Sequence, residues 1–222
     1  MTYKVNRNFS IEVGFKVDHE MIERSATLTN EILADLPSTL YKSIDYKTTS
    51  AMIGAVFCDT LASISDGIVN PIEKGHPDII PISGQDATEK ELRKYHAGLE
   101  IKCTVGNVTQ GSNLRAGQSR IDELVGITWQ AHHREVEALM GLVWDFYEND
   151  EKFNFPRTTG IFYSDNLKPD DWGAISGTSG RNTKVTGMKS SGKSKMGNGW
   201  VLLPNNEDYL KRYGKLLKIN SV

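Results

Sequence analysis

Residues 76–105 open His76-Pro77-Asp78-Ile79-Ile80-Pro81-Ile82 and close Gly98-Leu99-Glu100-Ile101-Lys102-Cys103-Thr104-Val105. Side chains of an extended strand point alternately to its two faces. Over 99–105 that alternation puts Leu99, Ile101, Cys103 and Val105 on one side and Glu100, Lys102 and Thr104 on the other, which predicts a strand with one apolar face. A carboxylate and an ammonium then share the polar face. Asp78 begins a second β-branched run, and a hairpin-like return brings its carboxylate to the same edge. Two carboxylates and a lysine converging there form a site for a hard cation with a positive group beside it, a layout suited to phosphodiester hydrolysis. The same residues also fit a plainer structure, with Glu100 and Lys102 on the solvated face of an antiparallel strand and Pro77-Asp78 as a turn.

Upstream of this stretch, Thr48–Ile64 reads as a helix capped by Thr48, Thr49 or Ser50 and apolar almost all round, hence buried. Asp59 lies on its one polar stripe. Val17–Leu36 is a second helix, capped by Asp18 and stopped by Pro37, and residues 1–16 suit an edge strand or an arm. Glu89, Lys90, Glu91, Arg93 and Lys94 make a charged, solvent-facing insert between the two motif strands. Downstream, the polar loop Gly106–Asn113 is placed to bring backbone N–H groups towards a phosphate. Arg115–Leu124 suits a short helix, Gly126–His133 alternates again, and Thr158–Tyr163 is a further short strand. Ala138–Tyr147 is nearly continuous in apolar residues, as in a strand buried on both faces. The sum is α/β, with helices packed on a mixed central sheet.

A chain of 222 residues, 38% hydrophobic and 24% charged, suits one sizeable soluble domain or one domain with an appended subregion. No apolar run approaches the roughly 20 residues needed to span a bilayer. Met1-Thr2-Tyr3-Lys4 begins basic without an apolar run behind it, so no secretory signal is expected. Cys58 and Cys103 sit in apolar segments as core thiols, which points to the cytoplasm. His132-His133 faces two ways on a strand and has no HExxH or CxxC companion, so zinc is not expected.

Net charge is −2, yet from Trp172 to Asn206 there is no acidic residue. Gly187–Ser194 fits G-x-x-x-x-G-K-[ST] letter for letter, but two glycines follow where a helix should begin and fewer than thirty residues remain. No nucleotide cofactor is therefore expected. Read whole, Ser176–Trp200 is a flexible, donor-rich cationic segment in which Arg181, Asn182, Lys184, Lys189, Lys193 and Lys195 are candidates for DNA contacts. Trp172, Trp200 and Val201-Leu202-Leu203 anchor it at its ends, and Glu207–Leu217 closes the chain as a short helix.

Pro77-Asp78 followed by Glu100-Ile101-Lys102 resembles the PD-(D/E)xK signature of the restriction-endonuclease-like nucleases, over about thirty residues, with a looser likeness to type II restriction endonucleases beyond them. The resemblance implies a three-layer restriction-endonuclease-like fold in one endonuclease domain over 1–222, with a catalytic core at about 48–165 and a DNA-contacting segment at about 172–206. It implies sequence-specific, Mg2+-dependent hydrolysis of double-stranded DNA by a homodimer. Asp78, Glu100 and the carbonyl of Ile101 would hold the metal, and Lys102 would orient or help deprotonate the attacking water. Asp59 is a further acidic candidate, with Asp66 and Glu73 behind it. A repair or recombination nuclease of the same fold, and a non-catalytic DNA-binding protein, are the alternatives.

Overall fold

The apolar run around residue 142 becomes an interior strand of the central sheet. In the computed structural model, which describes residues 1–109, 117–132, 134–147, 155–176 and 185–219, it is the strand Leu139–Tyr147. A five-stranded sheet is ordered Tyr3–Val5 (β1), Trp200–Pro204 (β13), Phe155–Ser164 (β11), Leu139–Tyr147 (β10), Ile101–Thr104 (β6), with strands numbered in chain order. Neighbours are antiparallel except β6, which runs parallel to β10 in the register Met140↔Ile101 to Val143↔Thr104. The sheet is therefore mixed, and β6 is its edge. Four two-stranded ladders surround it: Ser10–Glu12 (β2) with Lys16–Asp18 (β3), Gly67–Val69 (β4) with Ile79–Pro81 (β5), Asn107–Val108 (β7) with Leu124–Gly126 (β8), and Gln130–Ala131 (β9) with Thr186–Gly187 (β12).

Six helices occur among the described residues: His19–Asp35 (α1), Ser38–Ser43 (α2), Tyr46–Ser63 (α3), Glu89–Leu92 (α4), Ser190–Asn198 (α5) and Glu207–Leu217 (α6). Alternation along β10 divides the core between the two faces of the sheet. Met140, Leu142, Trp144 and Phe146 pack with Ile22 and Leu33 of α1 and Ile53, Phe57 and Leu61 of α3, while Leu139 and Val143 pack with Trp129, Met196 of α5 and Tyr213 and Leu217 of α6. The result is an α/β architecture with helices on both faces, compatible with three layers. Among the described residues no helix is long and apolar enough to cross a membrane.

The helix caps show how local chemistry sets these boundaries. Asp18 accepts a hydrogen bond from Met21 N at 3.1 Å and starts α1, as its sequence suggests, and Asn206 does the same for α6 through Asp208 N and Tyr209 N. α3 begins earlier than the Thr48–Ser50 caps imply, because the Asp45 carboxylate takes Thr48 N at 2.7 Å. Nor is α3 buried all round: Ala51 and Ala55 are exposed, and the buried side runs through Thr49, Ile53, Phe57, Cys58, Thr60 and Leu61.

Three other stretches depart from expectation. The described part of 115–124 is not helical, since Arg120 N and Ser119 Oγ bond to the buried carboxylate of Asp145 at 2.8–2.9 Å instead of to a helix ladder. The strand expected at 158–163 extends over Phe155–Ser164, paired along β10 with a bulge opposite Val143/Trp144, where Asn30 of α1 accepts the N–H of Thr158. Val201-Leu202-Leu203, read as an anchor, is the core of the interior strand β13.

The basic segment is also built differently. Its described part is β12 followed by the nine-residue helix α5, so Gly192-Lys193-Ser194 lies within a helix and not in a phosphate loop. Gly197 and Gly199 serve close packing: a Cβ on Gly197 would meet Leu217 O at 2.1 Å, and one on Gly199 would run into Tyr163 O. The start of α5 already has its anion, because Asp171 is hydrogen-bonded by Ser191 and lies 2.7 Å from Lys195 Nζ. Burial acts to raise the pKa of Asp171, but these donors and Lys168 N hold it below the usual carboxylate range.

Candidate active site

The expected return of the chain occurs at the N-terminal end of β6. Ile79 and Leu99 exchange two backbone hydrogen bonds, N–O 3.1 and 2.8 Å, in a single antiparallel bridge. Gly98 makes that approach possible, since its φ is +136° and a Cβ there would lie 2.2 Å from Ile79 O. The bridge sets Asp78 beside the open edge of β6. In a parallel pair, alternate residues of the edge strand turn their N–H and C=O outward. Glu100 O faces inward and accepts Met140 N at 2.9 Å, so Ile101 turns both its groups to the open edge. Ile101 N donates to Asp78 Oδ2 at 2.7 Å.

Lys102 closes the arrangement. Its Nζ is 2.5 Å from Glu100 Oε1, 3.4 Å from Asp78 Oδ2 and 3.2 Å from Ile101 O. Three oxygens from three residues are thus assembled around one positive charge. The apolar face of β6 is as its alternation requires, with Leu99 and Ile101 in the core shared with α3 and Cys103 packed against it. His76, two residues before Asp78, places Nδ1 3.2 Å from Glu100 Oε2.

The electrostatics follow from this crowding. Burial and the neighbouring Glu100 charge push the Asp78 carboxyl above its ordinary value, against the opposing Lys102 and Ile101 N–H. Glu100 is also buried, which raises it, but hydrogen bonds from His76 and Lys102 hold it below the ordinary range. Lys102 would be lowered by burial alone, yet the two carboxylates raise it, so it stays an ammonium at neutral pH.

Asp78, Glu100, Ile101 and Lys102 are therefore brought together, and the other candidates are not. Asp59 is exposed on α3, one residue past the buried Cys58, and no hydrogen bond or ion pair joins it to the group. Asp66 and Glu73 are exposed as well. The Gly106 loop begins beyond the opposite end of β6, and its Asn107–Val108 is tied into the ladder with β8; residues 110–113 lie outside the described residues. Arg181, Asn182, Lys184 and His133 also lie outside them. Lys189 is exposed and Lys193 half-buried, whereas Lys195 is engaged internally by Asp171 and by Asn166 O at 2.7 Å. His76 is the neighbour that the sequence motif did not reveal, because its contact depends on the path of the loop before Asp78.

Among the described residues no three His, Cys, Asp or Glu side chains are grouped as a metal site. The available donor set is two carboxylates and a main-chain carbonyl, all hard oxygens, which is the chemistry magnesium selects while retaining several waters. The residues present fit Mg2+ on those grounds. Comparison with protein-family models, curated proteins and solved structures finds no match to this chain.

Proposed function

We propose that the protein is a Mg2+-dependent DNA endonuclease of the restriction-endonuclease-like three-layer fold, most similar in design to the type II restriction enzymes. The observation that carries this reading is the convergence of Asp78 Oδ2, Glu100 Oε1 and Ile101 O on one cationic atom at a sheet edge. Those three residues hold the metal, which when bound supplies Lewis acidity at the scissile phosphate. Glu100 enters the reaction ionised, kept so by His76 and Lys102. Lys102, as an ammonium, offsets phosphate charge and orients the attacking water through its N–H donors. The Ile101 N–H fixes one oxygen of Asp78 and so the direction of the other.

The acid-free stretch 172–206 supports a DNA partner, with Lys189 and Lys193 as phosphate contacts and Arg181, Asn182 and Lys184 as base-reading candidates. A symmetric dimer presenting one site to each strand suits double-stranded cleavage. The test is incubation with plasmid and genomic DNA in Mg2+, followed by sequencing of fragment ends. Discrete ends sharing one motif support a restriction enzyme. Ends without a shared motif replace it with a structure-reading nuclease of the same fold. DNA left intact in Mg2+, Mn2+ and Co2+ by a folded protein overturns the nuclease reading.

A further inference from the structure

Asp78 is held by a side chain that neither the motif nor the chemistry above includes. Asn70 follows β4, is 9% exposed, and bonds to three separate pieces of chain. Its Nδ2 donates to Pro77 O at 3.1 Å and to Leu92 O at 2.9 Å, its Oδ1 accepts Ile72 N at 3.3 Å, and its own N donates to Asp78 O at 2.9 Å. Leu92 O also receives His76 N at 3.2 Å, so the end of α4, the loop before Asp78 and the end of β4 meet at one amide. The space is closed as well: a Cβ on Gly75 would lie 2.1 Å from Asn70 Oδ1.

We infer that Asn70 is a positioning residue for the Asp78 carboxylate, fixing the Pro77 and Asp78 backbone so that Oδ2 reaches the outward N–H of Ile101. An amide is required because the two acceptors, Pro77 O and Leu92 O, need N–H donors, while Ile72 N needs an oxygen. Aspartate has the same shape but would set a carboxylate against two carbonyls. Pro77 O and Ile72 N lie in loops outside any ladder, and Leu92 O, at the end of α4, is shared between Asn70 and His76 N, so the path of the loop before Asp78 depends on this side chain. The inference of function for Asp78 rests on the nuclease reading; the hold of Asn70 on Asp78 does not.

The test separates the two. The Ile101 amide proton, bonded to Asp78 Oδ2, reports the carboxylate directly in 1H–15N spectra of the full chain, and Leu142 N–H, in the same sheet, is the control. In the wild-type protein the Ile101 amide is expected downfield and protected from exchange. In N70D and N70A it should lose that shift and exchange about tenfold faster or more, while Leu142 is unchanged. Mn2+ affinity, followed by water-proton relaxation, should fall by about ten- to a hundredfold in the same variants. Whether or not a variant folds, a wild-type Ile101 amide that exchanges freely overturns the inference by itself. An N70A protein with wild-type Ile101 shift and Mn2+ affinity also overturns it. Failure of wild-type protein to cut DNA would strike the nuclease reading and leave the amide result standing.

Discussion

Replacing Lys102 with methionine should destabilise the protein in EDTA and make Mg2+ unusually stabilising. The substitution keeps most of the side-chain volume and removes the charge that the two carboxylates share. Side-chain exposures of 23% for Lys102, 31% for Asp78 and 13% for Glu100 place the group between the surface and the interior. Breaking a fully buried ion pair from one side costs about 3–5 kcal/mol. Partial solvation reduces that, so a loss of about 2–3 kcal/mol is expected at neutral pH. A divalent cation bound by the same oxygens restores the missing charge. At tenfold over its dissociation constant it contributes about 1.4 kcal/mol. The wild-type ammonium competes for those oxygens, so the variant should gain more from Mg2+ than the wild type. Urea denaturation of both proteins, in EDTA and in Mg2+, measures this as a double difference. D78N in the K102M background should recover part of the loss by removing one of the facing charges. Equal Mg2+ effects on wild type and variant, or no loss in EDTA, would refute the shared-cation geometry.

Gly98→Ala sets a Cβ against Ile79 O at a backbone angle that side chains rarely adopt; it should cost about 1–3 kcal/mol in melting or urea experiments and abolish metal binding with it. Asp18→Ala should cost about 1 kcal/mol at neutral pH by removing the α1 cap. The Met21 N–H and Lys16 hold Asp18 below its ordinary pKa, so its contribution is full above the unfolded value and disappears as pH falls through the folded one. Wild-type and D18A stability curves should therefore converge on acidification below about pH 4. Lys195→Met leaves the buried Asp171 without its ammonium and should cost about 1–3 kcal/mol in the same assay, while MgATP should leave the melting temperature of the wild type unmoved.

The parts of this fold that could be read from sequence are those decided by neighbours in the chain. The period-two alternation of 99–105, the Asp18 cap, the closing helix at 207–217 and the doubly buried run within 138–147 each follow from local pattern, and each stands in the structure. The misread parts are decided by distant partners. Residues 119–120 look helical but are drawn out to Asp145, twenty-five residues away. The glycines of 187–199 suggest a flexible loop, yet Gly197 and Gly199 are what let α5 lie against the end of α6 and against Tyr163. For the candidate site, the sequence supplied Asp78, Glu100 and Lys102 but not His76 or Asn70. Their contacts arise only when the loop before Asp78 folds under α4. Lys195, by sequence a candidate DNA contact, is instead paired with Asp171, which is remote in sequence and adjacent in space.

Whether the oxygens at 78, 100 and 101 form one cation site is most directly measured by Mn2+ binding to the full chain. Titrations of wild-type protein, D78N and E100Q, with circular dichroism to show that each is folded, give the answer. Saturable binding to the wild type that is lost in both variants is expected. Binding that survives in folded D78N and E100Q, or that is absent from the wild type, would contradict it.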